Sequence, residues 1–100
     1  MMAETIALDG LTASPHAKLF DEPLTIRLEL AAGERVDPHT HPERTVVLHV
    51  LSGEVELDLD DETHELESDD VIRFDGRREV SPKAVEDSEA LLVLSKRVED

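Results

Sequence analysis

The sequence predicts a single all-β domain built as a sandwich, jelly roll or barrel. Three observations point there. Apolar residues recur at every second position in several short segments, turn residues punctuate those segments at regular spacing, and no stretch sustains the 3.6-residue period of a helix. With 100 residues the chain is long enough for one small core. It shows no internal repeat, linker or low-complexity run.

The first clear strand is "LTIRLEL", Leu24 to Leu30. Leu24, Ile26, Leu28 and Leu30 share one face and Thr25, Arg27 and Glu29 the other, as expected of a half-buried strand. "AAG" then turns the chain. "TVVLHVL", Thr45 to Leu51, is continuously β-prone and reads as a strand buried on both faces. Ser52-Gly53 ends it, and "EVELDLD" from Glu54 alternates again with Val55, Leu57 and Leu59 inward. "DDE", Asp60 to Glu62, is a hairpin turn from which "THEL" returns. "DDVIRF", Asp69 to Phe74, is the next strand, closed by the strong turn pair Asp75-Gly76. "REVSP" continues, with Pro82 confining that strand to an edge or an end because proline has no N–H to give to a ladder. "ALLVLS", Ala90 to Ser95, is the last strand. Before Leu24 the chain is broken by Pro15 and Pro23, with room for a short strand around Ala17 to Phe20.

Composition narrows the partners. Twenty-five acidic residues against ten basic ones give a net charge of -15, which repels phosphate backbones and anionic bilayers, so neither nucleic acid nor a membrane is an expected partner. Two Phe and no Tyr or Trp leave little to stack on bases or sugar rings. The acidic excess, with only three Lys, suits a halophilic protein in concentrated salt, where the Debye length shrinks to about 3 Å at 1 M and self-repulsion is screened. There is no cysteine, hence no disulfide framework or thiolate site. The first ten residues carry no basic region followed by an apolar run, and no apolar stretch approaches the length of a membrane span, so a cytoplasmic location is expected.

Two of the five histidines, His39 and His41, stand one residue apart between two strands. On extended backbone such a pair projects to the same side, and two converging imidazoles are how many Zn, Fe, Ni, Cu and Mn sites begin. The competing reading is a pair of exposed turn histidines beside Pro38 and Pro42. Gly33, five residues, His39-Thr40-His41 and later Gly53 fall in the register G-x5-H-x-H-x(3,4)-E-x6-G, and "VLHVLSGEVEL" follows. This region resembles the first motif of the cupin superfamily. The run "LESDDVIRFDGRREVSPKAVED", Leu66 to Asp87, resembles the second, so the likeness covers roughly residues 24–96.

The resemblance implies a cupin jelly-roll barrel (a double-stranded β-helix) spanning residues 1–100 as one domain. Its core would lie at about 24–96, with an N-terminal arm at 1–23, and homodimerisation is typical. It also implies a metal site of two motif-one histidines, a motif-one glutamate and a motif-two histidine. His39 and His41 match the first two. The glutamate position, seven before Gly53, is Val46, and residues 69–82 contain no histidine. Near the missing histidine stands Glu79, with Val80 as its neighbour in an alternative alignment.

Three outcomes stay open. A reduced site could form from His39, His41 and Glu79 with Glu43, holding Fe, Zn, Mn or Ni and serving a dioxygenase- or isomerase-type enzyme. A metal-free barrel could bind a small-molecule ligand. The barrel could also be a structural or partner-binding unit. His49, whose parity opposes Val46, is read as an interface or core histidine, and His64 as a solvated one. His16, beside Pro15, is read as a loop residue without chemistry. Arg73, Arg77 and Arg78 flank the second-motif turn, where salt bridging is the ordinary expectation and binding of an anionic substrate the other reading. The acidic "DLDDE", Asp58 to Glu62, lacks the spacing of a calcium loop and reads as a solvated tip. No nucleophile elbow, phosphate loop or thiol nucleophile is present.

Overall fold

In the computed structural model, which describes residues 3–97, a short 3-10 turn at Leu8–Gly10 precedes eight strands. These are β1 (His16–Asp21), β2 (Leu24–Leu30), β3 (Arg44–Ser52), β4 (Glu54–Leu59), β5 (Glu62–Glu67), β6 (Val71–Asp75), β7 (Val80–Ala84) and β8 (Ser88–Lys96). β2 coincides with the alternating segment read from the sequence, and β1 fills the space left before Pro23.

Two antiparallel sheets form, one in the order β1-β2-β8-β3-β6 and one in the order β5-β4-β7. The last strand lies between β2 and β3, so the chain winds round itself as a roll. The inward faces of both sheets make one core. Val46, Leu48 and Val50 of β3 meet Val55, Leu57 and Leu59 of β4, all at most 2% exposed. Burying one such side chain contributes about 1.5–3 kcal/mol.

Two strands differ from their sequence reading. β3 is fully buried only on the face of Val46, Leu48 and Val50, while Val47 and His49 on the other face are half-buried. Its continuous apolar run reflects a central strand whose outer face is also largely apolar. β7 continues two residues past Pro82, at the edge of the smaller sheet, where a missing N–H is tolerated.

The free side of β7 is covered by residues 33–39. Gly33, Val36 and His39 donate backbone N–H groups to Ala84, Pro82 and Val80, and Val80 and Ala84 donate back to His39 and Glu34. The acidic hairpin tip is exposed, as expected, and also carries ion pairs. Arg35 pairs with Asp58 at 2.9 Å, and Arg78 pairs with Asp60 and Glu62. The Thr63 hydroxyl, which donates to Asp58 at 2.8 Å, and then Arg35 hold the Asp58 carboxyl below its usual range, and Arg78 does the same for Asp60 and Glu62. Among the described residues no helix is long and apolar enough to cross a membrane.

Candidate functional site

His39 reaches its place because its backbone bridges Val80, with N–H to carbonyl distances of 3.1 and 2.9 Å in the two directions. Two residues on, the His41 N–H donates to Gly76 at 2.6 Å, and Gly76 N–H donates to Arg44 at 2.9 Å. A side chain at Gly76 would run into the carbonyl oxygens of His41 and Arg44, so only glycine lets this turn close. The His-x-His pair therefore sits on an irregular extended segment, before the strand, pinned at both ends. The two rings stand perpendicular with centroids 4.8 Å apart.

His39 Nδ1 lies 2.8 Å from the carbonyl oxygen of Asp37. A carbonyl only accepts, so Nδ1 carries a proton, and in the uncharged tautomer this contact selects, the lone pair is on Nε2. Burial first, then the neighbouring His39, His16 and Arg44, lower the pKa of His41. It is accordingly neutral at pH 7.

Both rings line a cavity of about 20 Å³ at one end of the barrel. That is room for about one water, one ion or the tip of a small ligand. Its other walls are Val46, Leu48, Phe74, Val80, Leu28, Leu92, Pro82 and His16. His16 is the residue the sequence reading missed. It lies in β1 opposite Leu28 of β2, and Leu28 faces the cavity. The pKa of His16 is also lowered, by burial first and then by His39. No local pattern around Pro15 signals this; only the pairing of β1 with β2 brings His16 to the barrel.

Glu79 and Glu43 do not join the cavity. Both are exposed. Val80 turns inward beside His39, so Glu79, one residue earlier, faces away, and its N–H bonds the Asp60 carboxylate. Glu43 lies past Pro42, on the outer side of the turn. His49 faces outward from β3, half-buried, and His64 sits 4.0 Å from Glu62. Arg77 pairs with Asp75, whose carboxyl it holds far below the usual range.

Residues 26–95 match the family model for the cupin domain. The chain belongs to the cupin family. Among curated proteins none matches it. Among solved structures, a conserved protein of unknown function from Streptococcus pyogenes is 26% identical with a TM-score of 0.68, covering 76% of this cupin and 66% of that chain, just under two thirds of its length. KdgF from Halomonas sp. is 22% identical with a TM-score of 0.74, covering 85% and 80%. An RmlC-like cupin with a double-stranded β-helix fold from Methanocaldococcus jannaschii is 17% identical with a TM-score of 0.79, covering 96% and 94%. The two rolled sheets are thus the double-stranded β-helix of a small cupin.

Of the four positions that the motif resemblance implies for a metal, His39 and His41 match two and Val46 stands at the glutamate position. Val46 and Val80 both line the cavity beside the histidines. The four-ligand set does not fit this cupin: its glutamate position is apolar, and residues 69–82 hold no histidine. Among the described residues no group of three or more His, Cys, Asp or Glu side chains is placed to hold an ion.

Proposed function

We propose that this cupin is a binding protein, whose barrel presents the imidazoles of His39 and His41 to one small ligand or one weakly held divalent cation. The observation that carries this reading is the pair Val46 and Val80, which face the two histidines while Glu79 turns outward. An otherwise apolar niche in which His39 and His41 stand, with His16 at its wall, can accept a hydrogen bond or a soft cation. It has no carboxylate to act as base and too few donors for tight metal binding. The alternative is a metal-dependent enzyme of the dioxygenase or isomerase type, and the observation in its favour is that His16 lines the same cavity.

Metal analysis of protein purified without a histidine tag separates the two. Binding cupin behaviour gives no stoichiometric metal on purification and only weak uptake of added Zn²⁺ or Ni²⁺, lost in a His39→Ala, His41→Ala variant. About one tightly held equivalent of Fe, Mn, Zn or Ni per chain, lost in that variant, overturns the binding reading in favour of the enzyme.

The partner we propose is a second copy of the chain. On the outer face of the larger sheet Val47 pairs with Val93, and His49 pairs with Leu91 and Val71. Val71 is 59% exposed. This stripe, apolar apart from His49 and Arg73, which pairs with Val47 on β6, crosses three strands of a strongly acidic molecule, and a homodimer would cover it.

A further inference from the structure

The turn of residues 41–44 has two sides. His41 faces the barrel cavity, whereas Pro42, Glu43 and Arg44 border a separate open cleft of about 410 Å³, completed by Arg77, Lys96 and Arg97. Its size falls within the range of small-molecule sites. Four of the ten basic residues of the chain line it.

Their arrangement is not one that a sheet favours for its own stability. Arg44 and Lys96 are direct cross-strand partners at the ends of β3 and β8, and like charges so placed repel. The nearby carboxylates neutralise them incompletely. Asp75 serves both Arg77, at 2.8 Å, and Arg97, at 2.7 Å. Glu22 holds Arg44 through one nitrogen, Nη1, at 3.2 Å. Lys96 makes no ion pair among the described residues. Among the described residues, four cations stand here against the carboxylates of Glu22, Glu43 and Asp75, in a molecule of net charge -15. The frame is firm, because Arg97 N–H donates to Glu43 at 3.0 Å and Gly76 N–H to Arg44 at 2.9 Å, tying the three segments together.

We propose that this cleft is a binding site for a small oxyanion, a carboxylate or phosphate group, held by Arg44, Arg77, Lys96 and Arg97. Guanidinium edges left over from Asp75 and Glu22 offer charge-assisted, fork-shaped hydrogen bonds that suit such a group. Lys96 adds a mobile point charge opposite Arg44. The site is independent of the metal question, since none of its cations lines the histidine cavity.

The test is an NMR titration of the 15N-labelled protein at constant ionic strength, replacing chloride with inorganic phosphate in one series and malonate in another. Saturable shifts confined to residues 43–44, 75–77 and 95–97, with about tenfold weaker binding in a Lys96→Gln, Arg97→Gln variant, are expected. Saturation with phosphate alone assigns a phosphate ligand, and saturation with malonate alone a carboxylate. Shifts that never saturate, that spread over the whole surface, or that persist unchanged in the folded variant overturn the proposal. Should the variant fail to fold, the location and saturation of the shifts in the unaltered protein decide the matter.

Discussion

Single residues set the electrostatic character of the barrel end. His41 lies partly buried beside His39 and His16, and its depressed pKa has a definite sign of consequence. Folding holds the ring below its unfolded value of about 6.5, so the neutral form contributes stability that is complete above that pH and is lost as pH falls through the lower folded value. NMR titration of the His41 ring is expected to show protonation only on the acid side of its ordinary range. Because burial is the largest cause, a His39→Gln substitution recovers only part of the shift. A midpoint at or above the ordinary value in the unaltered protein would contradict this account.

At the scale of elements, the N-terminal segment is joined to the barrel more firmly than its irregular sequence implies. Arg27, on the outer face of β2, is 3% exposed and bonds Glu89 at 3.1 Å and the Ala13 carbonyl at 3.2 Å. Arg27→Ala is expected to cost about 3 kcal/mol, at the lower end for a broken buried pair because Glu89 keeps some contact with water. Thermal unfolding measures the loss, and faster amide exchange confined to residues 13–21 would place it in the arm. Strands β2 and β4 were legible in the sequence because alternation is local, and one face of Leu24 to Leu30 reads directly as core. The contribution of His16 was not legible, since it depends on pairing with Leu28 twelve residues away. Nor was the fate of Glu79, where one step of register separates a wall of the cavity from solvent. Gly76 looked like an ordinary turn glycine, and only the approach of the His41 and Arg44 carbonyls shows why no side chain is admitted.

For the whole molecule the governing quantity is charge. Two copies that join through the Val47, Leu91, Val93 and Val71 face bring together two bodies of net charge -15. Apolar contact favours the pair, and long-range repulsion opposes it until salt screens the charges. Sedimentation velocity is therefore expected to show dimers whose population rises with sodium chloride, and Val71→Asp is expected to leave a folded monomer at every salt concentration. A monomer that stays a monomer in concentrated salt would remove the dimer from consideration. Thermal stability should rise along the same salt series for the same reason.

Val46 and Val80 also make this barrel a ready scaffold for an engineer. Both backbones already hold their places beside His39 and His41, one in the middle of the larger sheet and one bridged to His39 itself. Val46→Glu with Val80→His would install the two absent donors without rebuilding a loop. Without metal, the new carboxylate at a position now 0% exposed should lower the melting temperature. Added Zn²⁺ or Mn²⁺ should return it, in proportion to the logarithm of concentration. The gap between those two melting temperatures would measure how far folding of the redesigned barrel has been coupled to its metal supply.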